Sequence, residues 1–512
     1  MRRNDALYRL IQSMSKSEKR YFKVFAARGG EKKNYLLLFD AMSRQKTYDE
    51  DGLKHRFRDE KFVRQFSVAK NYLYNLVMRS LRQFHEHENV ESRLRTMLTD
   101  VRLLIDRGLT DQALSLNERA IALAEKFEKP VLLLEALQLK ESVEPGLGTS
   151  ATNIVAMGRA QLGTIEILRD LVERKMLLYQ ISLPVKGGDM RKEEEWKQIE
   201  ELIAHPLLSS EELSSTLVGK IYYHWSHSTY SFLKVDYSEA LHHVQEIVRL
   251  LEGEPDRLQD LMDFYLMGLN NALVLYRRIG EKKKFEEVIE KLRSIAEGLM
   301  KHSHSAYKRR NAHIFAGIYI HLLAFHNSEG NYRDGLALTA EVERGLTMFS
   351  SHLTAAERMT FHMNLASIYF GAEDFRRALD HINQILMEYS PESDAGTYYA
   401  AQLVSLIVHF ELENYCLLKY MIPSTSRYLS SHNVVYNFER ALIELFERLP
   451  KTRSRAEVAE AFSRTRDQMV ALKNDPVEGR ALHYFRYVEW LESRIQRRPF
   501  AEIVRESLLY SS

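Results

Sequence analysis

One short phrase recurs along this chain: Val235-Asp236-Tyr237-Ser238-Glu239-Ala240-Leu241, Gly330-Asn331-Tyr332-Arg333-Asp334-Gly335-Leu336 and Glu373-Asp374-Phe375-Arg376-Arg377-Ala378-Leu379. A helix-start pattern that returns at such intervals restricts the fold to stacked helical units, because one hairpin cannot bury its apolar face alone. Asp236, Asn331 and Asp374 stand where an N-cap is needed, with side-chain oxygens able to accept from backbone N–H groups that the first turn leaves unpaired. The next residue is aromatic and can plug the gap to the preceding helix. The small Ala240, Gly335 or Ala378 lets two helices approach closely.

Degenerate copies occupy Gly108 to Leu114, Glu413 to Leu418 and, more weakly, Lys284 to Ile289. Aligned on the aromatic, the steps from Tyr237 through Phe285, Tyr332 and Phe375 to Tyr415 are 48, 47, 43 and 40 residues. The pattern resembles the second-helix start of a tetratricopeptide repeat. In the fullest copy Leu365, Ala366 and Tyr369 also fall at that family's first-helix spacings before Ala378. The usual period is 34 residues, so the resemblance implies longer hairpins and an irregular superhelix. It covers roughly residues 97 to 450 and implies a binding scaffold without specifying a partner.

The sequence therefore predicts an all-α protein, an α-solenoid of stacked antiparallel helical hairpins with an N-terminal helical domain. The expected divisions are 1–90, a basic helical domain; 91–450, a repeat array of about eight helical hairpins; and 451–512, a helical cap. Most of the ten prolines fall where apolar periodicity breaks. Between Pro255 and Pro391 the expected breaks are Gly280, His302 to Ser305, and Gly330. Glycines loosen the pattern at 142–149 and 184–190, where two irregular hairpins are expected to bridge the array.

With 512 residues, 45% hydrophobic and 28% charged, the chain fits a folded repeat array, and no run of residues is apolar enough for a membrane helix. Its first residues lack an apolar signal core, which makes the cytoplasm the expected location. The single cysteine, Cys416, excludes an intrachain disulfide framework and is expected to be buried and inert.

Charge is segregated. The first ninety residues hold 20 Lys+Arg and 11 Asp+Glu, a net +9, whereas the whole chain is +2, which leaves −7 for the rest. Four or five helices are expected there, near 4–13, 16–28, 32–44, 49–57 and 60–87, with Ser15 or Ser17 capping the second. On the polar side of the last, Lys70, Asn71, Arg79 and Arg82 are candidates for phosphate or base contacts, the alternative reading being a nucleic-acid-binding regulator. No compact helix-turn-helix is evident in 49–85.

Catalytic patterns are wanting. HExxH, GxSxG and phosphate-loop spacings are absent. His302, His304, His313, His321 and His326, and the pair His224 and His227, lack companion ligands at motif spacing. No cofactor, metal or catalytic residue is assigned, and the chain is not expected to be an enzyme. What remains is binding of a protein or peptide partner, with self-association admitted, on the first-helix face of the hairpins. The candidates are Tyr223, Asn270, Asn271, Tyr276, Tyr319, His362 and Asn364, because aromatic and amide side chains offer contact area and backbone hydrogen bonds. Arg277-Arg278 and Lys308-Arg309-Arg310 could attract an acidic partner.

Overall fold

A computed structural model describes residues 5–28, 33–86, 89–143, 151–183, 193–300, 305–432, 437–449, 454–472, 475, 478 and 484–509. The described residues form 25 α-helices and no strand. None of these helices is long and apolar enough to cross a membrane.

The N-terminal helices are α1 (Ala6–Ser13), α2 (Lys16–Arg28), α3 (Lys33–Arg44), α4 (Glu50–Arg56) and α5 (Phe66–Phe84). They enclose their own apolar cluster, including Ile11, Phe22, Leu38, Phe39, Met42, Leu73 and Val77. Ser15 opens α2 in a capping box: its hydroxyl accepts from Glu18 N–H at 3.1 Å, and the Glu18 carboxylate accepts from Ser15 N–H at 2.5 Å. The expected helix 60–87 is shorter. Lys61–Gln65 is a 3₁₀ turn, and Gln65, at φ −128°, leaves the helical region before α5 begins.

Helices then pair with their neighbours in sequence: α6 (Val90–Asp106) with α7 (Thr110–Lys126), and α8 (Pro130–Val143) with α9 (Ala151–Ser182). After α10 (Glu193–Ile203), α11 (Leu217–Leu233) pairs with α12 (Tyr237–Glu252). The short α13 (Pro255–Leu258) precedes the pair α14 (Met262–Ile279) and α15 (Lys282–Met300). Next come α16 (Ser305–Glu329) with α17 (Tyr332–Met348), α18 (Ala355–Gly371) with α19 (Phe375–Glu388), and α20 (Ala395–Glu411) with α21 (Tyr415–Ser431). The chain closes with α22 (Asn437–Arg448), α23 (Arg455–Leu472), α24 (Tyr487–Gln496) and α25 (Phe500–Leu509). First helices of successive hairpins also touch: α14 meets α16, α16 meets α18, and α18 meets α20.

One turn geometry underlies the recurring phrase. Its opening residue is left-handed in six places: Gly108, Val235, Gly280, Gly330, Glu373 and Glu413 have φ between 57° and 85°. The N–H of the following residue donates to the carbonyl five residues back at 2.9–3.0 Å, as in Asp236 to Ser231 and Asp374 to Tyr369. This is a Schellman closure, which reverses the chain and pairs carbonyls that the helix end leaves open. Asp236 and Asp374 then cap the next helix by accepting from Glu239 and Arg377 N–H at 3.0 and 3.2 Å. Asn331 holds the same position without that bond, its amide donating to Asp334 at 2.6 Å. The small position is needed as expected: a Cβ on Gly335 would lie 2.3 Å from the Ile368 side chain of α18.

The same turn corrects the alignment of the weak copy. Gly280 is left-handed and α15 starts at Lys282, so Lys282 corresponds to Tyr237 and Phe285 takes the place of Ala240. Phe285 is buried there and stacks on Phe325 at 5.1 Å. Between α7 and α11 the described residues form α8, the 32-residue α9 and the shorter α10, and α9 packs against both of the others. Cys416 is exposed at the start of α21 rather than buried, because the burial at that turn falls to Leu418. Pro423 lies inside α21 and is an exception to the punctuating prolines.

The C-terminal helices return along the hairpin turns. Trp490, fully buried, donates its indole N–H to Glu411 at 2.7 Å, and Glu411 also pairs with Arg494. Phe500 lies 5.3 Å from Phe370 and 5.8 Å from Tyr332, so the segment expected as a terminal cap reaches back across three turns.

Candidate functional site

The polar face shared by α14, α16 and α18 is built by residues the packing cannot use. Along α14 the buried side is Leu266, Leu269, Leu273 and Tyr276, which leaves Asn270 and Arg277, two turns apart, at the border with α16. Asn270 fits against Gly317 of α16, where a Cβ would fall 2.1 Å from its Oδ1. Asn327 donates to the Asn364 backbone carbonyl at 3.2 Å, and so ties α16 to α18. His313 meets the Glu357 carboxylate at 3.4 Å, and this contact raises the imidazole pKa. Arg486, arriving from the C-terminal segment, donates to the Ser328 carbonyl at 2.7 Å.

Positive charge concentrates at this point. Burial lowers the Arg277 guanidinium to about 10, and the charges of Arg278 and Arg486 add to the effect. Arg278 lies over the Tyr237 ring at 5.8 Å. Burial, with the charge of Arg277, lowers His321 to about 3, so it is neutral at pH 7. Several buried polar atoms on the same helices have no hydrogen-bond partner among the described residues: Asn270 Oδ1, Arg277 Nε, Asn311 Oδ1, His326 Nδ1 and Asn327 Oδ1. Unmet groups of this kind are costly, and each calls for a physical reason.

The candidates from sequence divide accordingly. Asn270 and Asn364 lie along this face, half-buried, and Asn271 is exposed one residue beyond Asn270, whereas the Tyr319 hydroxyl turns away from it to Glu341 of α17. Tyr319 packs against the apolar clusters on both sides of it. Tyr276 is not available, because its ring is buried and its hydroxyl accepts from Gln245 of α12 at 3.0 Å. Tyr223 is wedged beside His224, His227 and His243. His362 faces inward, its Nδ1 3.1 Å from His381 Nδ1. The same contact recurs in hairpin α11/α12 between His224 and His243 at 2.9 Å, and both pairs are 19 residues apart in sequence. These are packing positions of the repeat.

In the basic N-terminal region Lys70 is engaged internally, its ammonium 2.7 Å from Glu50 and 3.2 Å from the Tyr48 hydroxyl. Asn71, Arg79 and Arg82 are exposed on one face of α5 together with Val68 and Asn75. His302 and His304 lie outside the described residues. Among those described, no group of three or more His, Cys, Asp or Glu could hold a metal ion.

A cavity of about 450 Å³ opens where α24 meets the α20/α21 turn, lined by Phe410, Glu411, Glu413, Arg455, Arg494 and Arg497. Its charges are of both signs, and Glu411 and Arg494 pair with each other. Sequence reasoning missed Arg486 and Asn327. Arg486 reaches the face from a contact 158 residues away in sequence, which no local pattern signals. The family models, curated proteins and solved structures compared with this chain include no match.

Proposed function

We propose that the chain is a non-enzymatic, tetratricopeptide-like solenoid that binds a protein or peptide partner along the shared face of α14, α16 and α18. The observation that carries this reading is the set of unpartnered buried atoms at Asn270, Arg277 and Asn327, beside the exposed Asn271. An extended peptide offers N–H donors at a spacing amide oxygens can meet, and an acidic side chain on it would pair with Arg277. Native pull-down with wild-type protein and with an Arg277→Gln, Asn271→Ala variant tests the reading. The expected result is a partner enriched by the wild type and at least tenfold depleted with the variant, at unchanged melting temperature. Equal recovery by both proteins would contradict it.

A second reading is favoured by the unbroken polar stripe Asn71, Asn75, Arg79 and Arg82 on α5, within a region of net +9. It makes the N-terminal helices a nucleic-acid-binding head with the repeat body as sensor. Gel shift of the full chain at low and high salt examines it. Absence of a shift at low salt, or one indifferent to Arg79→Glu with Arg82→Glu, would dismiss it.

A further inference from the structure

The long helix α9 has two apolar faces, and the described residues cover only one. Met157, Thr164, Arg174, Leu177 and Ile181 are buried on the side toward α8, α10 and α11. On the opposite side Val155, Leu162, Ile165, Val172, Met176 and Tyr179, with Leu183 just past the helix end, are 47–64% exposed. Isolated surface apolar residues need no explanation, but an aligned row does. This row is aligned on a strict heptad. One set runs 155, 162, 169, 176, 183 and the other 158, 165, 172, 179, interrupted only by Gly158 and Arg169. Alternation of three and four residues over four heptads is the seam of a two-stranded coiled coil. At 1.5 Å per residue the seam from 155 to 183 is about 42 Å long.

We propose that this seam is a self-association surface, and that its occupant is α9 of a second copy running antiparallel. The charges select this arrangement. A parallel in-register pair would set Arg169 against its own copy in the middle of an apolar seam and align no opposite charges beside it. An antiparallel pair centred near residue 167 places Leu162 on the partner's Val172, Val155 on the partner's Tyr179 and Gly158 on the partner's Met176, so small meets large. Arg169 then lies level with the partner's Ile165 and Glu166, where it offsets the one like-charge contact, Glu166 with its copy. The flanking Arg159 faces the partner's Glu173 twice by symmetry. Within its own helix Glu173 already pairs with Arg169 at 2.7 Å, so the dimer joins these groups into one network. The interface is isologous, as a closed two-fold dimer requires. It is independent of the ligand reading for α14, α16 and α18.

Sedimentation velocity of the full chain over a concentration series tests the proposal. The wild type is expected to sediment as a dimer, at twice the chain mass of 59.9 kDa. Leu162→Lys with Val172→Lys should weaken the dimer at least a hundredfold while leaving the circular dichroism spectrum and melting temperature unchanged. Arg159→Glu alone should weaken it several-fold, and Arg159→Glu with Glu173→Arg should restore it, a rescue that a parallel pair would not give. A wild type that stays monomeric up to about 100 µM would overturn the proposal, whether or not another protein is captured on α9. So would a dimer indifferent to the lysine substitutions, or a charge swap that gives no rescue.

Discussion

In hairpin α18/α19 the apolar side chains Met359, Phe361, Met363, Leu365 and Ile368 are at most 4% exposed, and neighbours on both sides cover them. In α9 an apolar row just as regular is about half exposed. Both helices belong to hairpins, and the first is closed at its C-terminal end by a copy of the recurring turn, at Glu373. A Schellman turn with an N-cap fixes where each helix starts, so successive hairpins meet in one register and the apolar row of α18 finds holes. Outside that register α9 runs to 32 residues, longer than the partners that pack on it. The difference shows that the turn, more than the amount of hydrophobic residue, decides which apolar surface becomes core.

The largest contrast is expected from one substitution made in the two places. Leu365→Ala removes a fully buried side chain and should cost about 2–5 kcal/mol in chemical denaturation. Leu162→Ala should stay within about 0.5 kcal/mol under conditions that keep the chain monomeric. Comparable losses would mean that α9 is core.

The paired histidines give the next effect. Burial, then the neighbouring His381 and Arg358 charges, lowers His362 to about 4; burial and Arg377 do the same to His381. A base held below its unfolded pKa binds fewer protons when folded. The hairpin is therefore most stable above the unfolded value of about 6.5 and loses about 1.4 kcal/mol per pH unit per histidine as pH falls towards 4. His362→Leu with His381→Leu should flatten the melting temperature between pH 6.5 and 4. An unchanged slope would contradict the burial account.

Smaller effects test the turn itself. Glu373 is left-handed at φ 63° without being glycine, so Glu373→Gly should raise stability by up to about 1 kcal/mol. Gly280→Ala, at φ 85° with open space around it, should cost about 1–2 kcal/mol from backbone strain alone. Equal signs for the two changes in thermal unfolding would refute the shared turn.

Much of the fold was legible because its signal is local. The N-caps Asp236 and Asp374, the small Ala378 and Gly335, and the glycine at 280 each act within a few residues of the turn. The left-handed residue escaped notice where Val235, Glu373 or Glu413 replaces glycine, and the copy at Phe285 was consequently set three residues out of register. The heptad row of α9 is written as plainly as the phrase, yet it lies between stretches whose glycines suggested broken hairpins. The candidate face was legible only in part. Asn270 and Asn364 follow from the first-helix register, but whether Tyr276 points outward or onto Gln245 depends on packing against α12, and Arg486 depends on the return of the C-terminal segment.

Site-specific photo-cross-linking in native cells probes the binding face itself. A benzophenone side chain placed at the exposed Asn271 should capture a discrete partner, whereas the same group at Met387, 84% exposed on α19, should not. Capture from Met387 alone, or equal capture from the two positions, would contradict the assignment of binding to the face of α14, α16 and α18.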